Sequence, residues 1–189
     1  MKTYYLYLIA LVVIIAGCSK DPTAPPVSND HSPATTVILT LVRMDLSGMP
    51  LDTTSCTVRD TSVIKGKLPI EGKLSLQAGS VYKGFLTLLD ESQSPVKDIT
   101  SSIIAEKDAH QFRFSVKENS LPSSAVVISD LDKDSKGLDF GLNFKATTSI
   151  IAKPSIGLIH ITLEHHDDGN KAGSQFDTDL DRDFPFILP

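Results

Sequence analysis

The chain has no tryptophan, only two cysteines among its 189 residues, and no cluster of basic residues. Its formal net charge is −5, whereas nucleic acids and anionic lipid head groups attract basic surfaces. The sequence also lacks a Gly-x-Ser-x-Gly turn, a His-Glu-x-x-His helix, a Cys-x-x-Cys pair and a phosphate-binding glycine loop. We therefore expect no nucleic-acid partner and no enzyme activity.

Long apolar runs are also missing, because the longest, Tyr4–Ala16, has thirteen residues and directly follows a cationic start at Lys2. A bilayer-spanning helix needs roughly 20 apolar residues, so this run has the proportions of a signal peptide. It ends in Ile15-Ala16-Gly17-Cys18, which resembles the lipobox of bacterial lipoproteins. The resemblance implies cleavage of residues 1–17 and lipidation of Cys18 with palmitate-type chains, which would anchor the protein in the outer membrane. The alternative is a plain secretory signal with an incidental cysteine.

Residues 18–36 are predicted to form a flexible, lipidated tether, since they contain four prolines and almost no large apolar residue. Ser19-Lys20-Asp21 partly resembles the export signal of surface lipoproteins of the Bacteroidota type. The resemblance favours the cell surface, and the periplasmic face of the membrane remains the alternative.

Residues 37–189 are predicted to form one domain, an antiparallel Ig-like β-sandwich. Short runs of alternating apolar and polar residues are separated by turn signals such as Gly79-Ser80 and Asp132–Gly137. One short helix is predicted from Pro95 to about Lys107, capped by Ser94. With Cys18 lipidated, Cys56 has no partner for an intramolecular disulfide, and we expect it to be a buried apolar residue.

Two segments, Leu76–Ser92 and Asp108–Phe112, resemble an envelope lipoprotein group of Bacteroidota. Asp132–Asp134, Ile161–His165 and Phe176–Phe186 fit the later part of that group's pattern. The resemblance implies a β-sandwich and a role beside an outer-membrane import receptor, and it implies no enzyme activity.

A composite metal site is predicted from His110, His165, Glu106 and Asp108, if the end of the helix packs beside the end of the strand 157–164. Glu106 and His110 are four residues apart and would meet if the helix continued to His110. Zinc suits a mixture of imidazole and carboxylate ligands without thiolate. The alternative is a set of hydrogen-bonded histidines, with His110 in the core because it shares the strand parity of Phe112.

Two further acidic arrangements are weaker candidates for a cation site. Four aspartates at alternate positions, Asp177 to Asp183, are expected on one face of a strand, where they are solvated, matched by lysines on a neighbouring strand, or bound to a hard cation such as Ca²⁺. Glu164 and His166 are two residues apart on a strand, so they are close enough to share a metal ion.

The leading hypothesis for function is a lipid-anchored binding accessory that captures a metal ion or another ligand for an outer-membrane import system. The first alternative is a structural or adhesive surface lipoprotein without a small-molecule ligand. The second is an envelope hydrolase. Convergence of His110 and His165 within metal-ligand distance favours the binding hypothesis.

Overall fold

The computed structural model describes residues 34–119, 121–150, 154–167 and 169–189. The predicted signal peptide, Cys18 and nearly all of the predicted tether lie outside these residues. The elements are β1 (Thr36–Met44), β2 (Pro50–Arg59), β3 (Ile70–Gly72), β4 (Leu74–Ser75), β5 (Val81–Asp90), β6 (Lys97–Asp98), α1 (Thr100–Ala105), β7 (His110–Glu118), β8 (Leu121–Pro122), β9 (Val126–Ser129), β10 (Asn143–Thr148), β11 (Ser155–His165) and β12 (Asp177–Leu188).

The strands form two sheets. The first has the order β3-β2-β1-β5-β10-β9, with β6 paired to β5, and the second has the order β4-β12-β11-β7-β8. The strand pairs are antiparallel except for the short contact between β12 and β4. The prediction of a mainly β, antiparallel sandwich with one short helix is therefore confirmed.

A single apolar core draws side chains from both sheets. In β5, alternate residues from Tyr82 to Leu88 are buried, and in β11 the alternate residues Ile159, Ile161 and Leu163 are buried too. This alternation is what a strand needs when one face lies on a core and the other on solvent. Cys56 belongs to the core, and burial raises the pKa of its thiol to about 11.

The helix is shorter than predicted. Residues Lys97–Asp98 pair with the end of β5 as β6, so α1 begins only at Thr100, with Ile99 in place of Ser94 at its N-cap. The Asp98 carboxylate accepts a hydrogen bond from the backbone N–H of Thr100 at 2.9 Å. The helix ends at Ala105, and His110 already belongs to β7.

His31–Pro189 forms a compact unit. Both sheets and the whole apolar core lie within residues 34–189, so this part of the chain has what a domain needs to fold on its own. Within the described residues, helices long and apolar enough to cross a membrane are absent.

Candidate metal centre

Two buried histidines face each other at the end of the second sheet. His110 begins β7 and His165 ends β11, and the two residues are direct partners in the antiparallel register. Both continue the core-facing parity of their strands, His110 with Phe112 and His165 with Leu163, so both rings lie at the margin of the core. Their ring centroids are 4.5 Å apart at an interplanar angle of 74°. The predicted core parity of His110 is confirmed.

A β-bulge brings a carboxylate to this pair. Leu163 is opposite Leu180, but Glu164 is opposite Thr178, so Asp179 is the extra residue on β12. A one-residue shift of register moves side chains to the other face of a sheet. The four aspartates from Asp177 to Asp183 therefore do not share one face as predicted, and the Asp179 side chain turns toward the two histidines.

The distances from the Asp179 carboxylate to the two histidine nitrogens suit a tetrahedral metal ion. Asp179 Oδ2 lies 3.4 Å from His110 Nε2 and 3.4 Å from His165 Nδ1, and one donor atom from each residue lies within 4.8 Å of the others. Bonds of about 2.0–2.1 Å to a tetrahedral zinc ion place two ligand atoms roughly 3.3 Å apart.

The other nitrogen of each ring has a neighbour that can fix the tautomer. His110 Nδ1 lies 3.0 Å from the backbone carbonyl oxygen of Glu106, and His165 Nε2 lies 3.4 Å from Asp167 Oδ1. A proton on each of these nitrogens would be donated to an oxygen, so that once a metal ion displaces the protons facing Asp179, His110 Nε2 and His165 Nδ1 can bind it with their lone pairs. Metal-binding histidines are commonly held by carbonyl or carboxylate groups in this way.

The surroundings of Asp179 keep its carboxyl group ionised. Burial raises the pKa of the Asp179 carboxyl, but hydrogen bonding to His110 and the charges of His165 and His110 outweigh burial and lower it. A carboxylate must be ionised to bind a metal ion, so the local environment favours the form that serves as a ligand.

The segment after β11, which carries Asp167, is attached to its surroundings at several points. His166 N–H donates to the carbonyl of Ala109 at 2.8 Å, just before β7 begins. Lys171 makes a buried ion pair with Asp134 at 2.9 Å, and the lysine charge compensates the buried carboxylate for its lost hydration. The first of these contacts fixes the backbone directly before Asp167.

Ligands can reach the site from solvent. An open cavity of about 400 Å³ lies beside it, lined by His165, Asp167, Ser174, Gln175, Phe176 and Asp177. The Asp179 side chain is itself 37% exposed. A fourth ligand, water or a small molecule, therefore has a route to an ion held by the three side chains.

The structure brings together two of the four predicted ligands. Glu106 follows the last residue of α1 and contributes its backbone carbonyl, not a carboxylate, to His110. The Asp108 carboxylate accepts hydrogen bonds from the backbone N–H and the hydroxyl of Ser135, which lower its pKa. The cluster of three contains neither acid.

The side chains of the alternative pair, Glu164 and His166, lie close together, but Glu164 also binds an arginine. His166 Nε2 lies 3.5 Å from Glu164 Oε2, and the same carboxylate oxygen accepts a hydrogen bond from Arg113 Nε at 3.0 Å. Within the described residues, these two side chains are not joined by a third metal-binding group.

Sequence reasoning missed Asp179 and Asp167 as parts of the site. Asp179 stands in a run of alternating aspartates, and only the bulge distinguishes it from its neighbours.

Comparison with models of known protein families, with curated proteins and with solved structures gave no match for this chain.

Proposed function

We propose that this protein is a lipid-anchored binding protein of the cell envelope that captures a zinc ion with His110, His165 and Asp179. The observation that supports the proposal most strongly is the geometry of the three donor atoms: the Asp179 oxygen lies at the spacing of tetrahedral ligands from both histidine nitrogens, and all three atoms lie within 4.8 Å of one another. The contacts of the two outward ring nitrogens add support, because they orient both rings toward one point.

Zinc fits this donor set better than other common ions. Two imidazoles with one carboxylate and no thiolate suit zinc, whereas Ca²⁺ and Mg²⁺ take oxygen ligands. Three protein ligands leave one tetrahedral position for water or for a group on a receiving protein. A site of this kind can release its ion, as a carrier must.

The envelope location rests on the lipobox-like sequence before Cys18. Two or more acyl chains anchor a protein stably, whereas one chain does not. In this proposal the tether holds the domain near an outer-membrane import receptor, which would take up the captured ion.

Zinc-dependent hydrolysis is the second candidate function. Two histidines, one carboxylate and a water molecule also form the zinc ligand set of some hydrolases. Turnover of an ester or peptide substrate that requires both zinc and Asp179 would move the assignment from binding to catalysis. A structural or adhesive role without a ligand would follow if zinc did not bind.

Calorimetric titration of zinc into residues 34–189, made without a histidine tag, tests the binding proposal. We expect one ion per chain, and a melting temperature that rises with zinc because the ion binds only the folded state. The affinity should fall as the pH is lowered through about 6.5, where imidazole in model compounds takes up a proton.

Two variants provide the contrast for this titration. The double substitution His110→Ala/His165→Ala should abolish the one-to-one binding, and His160→Ala should leave it unchanged because His160 faces away from the cluster. Equal binding by the double variant and the unsubstituted protein would refute the site, as would absence of binding by both.

The anchor has its own test. Cys18→Ser in the full chain should abolish incorporation of radiolabelled palmitate and release the protein from the outer-membrane fraction. Palmitate labelling of the variant would show that the lipobox interpretation is wrong, and it would leave the zinc site untouched.

A further inference from the structure

A second candidate binding site lies on the outer face of the first sheet, in a groove of about 960 Å³. Ligand pockets in proteins commonly have volumes of roughly 300–1,000 Å³ and mostly apolar walls. This groove is lined by apolar side chains of β1, of β5 and of the hairpin between β1 and β2, including Val42, Met44, Leu46, Val81 and Phe85.

Several large apolar residues of the groove are exposed to solvent. Phe85 is 38% exposed, Val81 is 40% exposed, and Leu46 at the tip of the hairpin is fully exposed. Lys83 lies among them, between Val81 and Phe85 along β5 and opposite Val42 on β1. A contiguous apolar patch of this kind marks a site of interaction more often than single exposed apolar residues do.

The charge at the centre of the groove is uncompensated. Lys83 is the direct partner of Lys145 in the register of β5 and β10, and like charges placed opposite each other destabilise a strand pair. Lys145 is neutralised by Asp130 at 2.6 Å. Among the described residues, Lys83 has no ion pair and no hydrogen bond from its side chain.

The other two acids of the groove are engaged elsewhere. The Asp45 carboxylate accepts hydrogen bonds from the backbone N–H groups of Ser47 and Met49, both at 2.8 Å. The Asp132 carboxylate accepts from Gly141 N–H and from Asn143 Nδ2, also at 2.8 Å. These contacts close the hairpin tip and the turn before β10, and neither acid pairs with Lys83.

We propose that this groove binds a free single-chain amphiphile with an anionic head, a fatty-acid-like carboxylate, whose head group pairs with Lys83 and whose chain lies against Val42, Val81 and Phe85. Such a ligand covers the exposed apolar surface and places a negative charge beside Lys83. The proposal is independent of the zinc site, since the groove lies on the first sheet and the three zinc donors lie on the second.

The test is calorimetric titration of dodecanoate, below its micellar concentration, into residues 34–189. Dodecanol and dodecylammonium, which have the same chain and a neutral or cationic head, are titrated in parallel. We expect dodecanoate to bind at one molecule per chain and at least tenfold more tightly than the other two compounds. Equal affinity for all three would overturn the proposal, because it would show that the head-group charge does not matter.

Substitutions then locate the site. Lys83→Gln should weaken dodecanoate binding at least tenfold, and Phe85→Ser should weaken it as well. Lys117→Gln, which removes a strand lysine of the other sheet, is the matched control and should have no effect. Melting temperatures of the three variants establish that each is folded, and unchanged affinity in Lys83→Gln would refute the assignment.

Two other occupants are excluded by further measurements on the unsubstituted protein. Concentration-dependent dimerisation that Phe85→Ser abolishes would assign the groove to a second copy of the chain and overturn the proposal. Sedimentation with anionic vesicles that depends on Lys83, without binding of free dodecanoate, would assign it to a membrane surface and would overturn it equally.

Discussion

The middle and the end of β11 each carry a histidine that lies close to aspartates of β12, but the surroundings of the two histidines differ. His160 lies on the outer face, with Nδ1 2.9 Å from Asp183 Oδ1 and 3.6 Å from Asp181 Oδ1. It is opposite Asp183 in the regular part of the register. Exposed pairs of this kind contribute little to stability, about 0–1 kcal/mol.

His165 lies on the inner face, five residues later, where the register of β11 and β12 shifts. It is buried, a second histidine lies opposite, and the shift adds Asp179. Among the described residues, the cluster around His165 brings three donor atoms within 4.8 Å of each other, and the residues around His160 do not. The two histidines therefore differ in the face of the strand on which they lie and in the nearby bulge, and these differences, not residue type, separate a candidate metal site from a surface ion pair.

The largest effect is expected from removing the charge of the bulged aspartate. Asp179→Asn should weaken zinc binding at least about 100-fold, because a ligand is lost and not merely one of its neighbours. Asp183→Asn, the matching change beside His160, should leave the affinity unchanged. Zinc titrations of both variants at pH 7.5 measure the contrast, and similar losses in both would remove the distinction between the middle and the end of the strand.

A smaller effect is expected from the residue that orients His165. Asp167→Ala should weaken zinc binding about tenfold, at the lower end of the range for groups that hold a metal ligand in place. Asp181→Ala, which removes the more distant acid beside His160, is the control. The stoichiometry should stay at one ion per chain, and complete loss of binding in Asp167→Ala would show that Asp167 is a ligand itself and not a positioning residue.

Much of the fold could be predicted from the sequence, because the alternation of apolar and polar residues determines which face of each strand is buried. The same parity rule correctly placed His110 with Phe112. It could not reveal the shift after Leu163, because the aspartates of β12 alternate without interruption and nothing in their spacing marks Asp179 as the extra residue.

The cluster of three lacks the two predicted acids, Glu106 and Asp108, and each has a local reason. The spacing of Glu106 and His110 would bring their side chains together only in a continuous helix, and α1 ends at Ala105. Asp108 was an equally reasonable candidate from its position, but its carboxylate binds Ser135, which is 27 residues away in the sequence. Contacts of this range cannot be derived from periodicity.

The most direct test of the zinc site is a crystal structure of residues 34–189 grown with zinc, with diffraction data collected at the zinc absorption edge. The proposal predicts one strong anomalous peak bonded to His110 Nε2, His165 Nδ1 and the Asp179 carboxylate at about 2.0–2.1 Å. Absence of a peak at these three residues in a zinc-saturated crystal, or a peak only at His160 and Asp183, would contradict it.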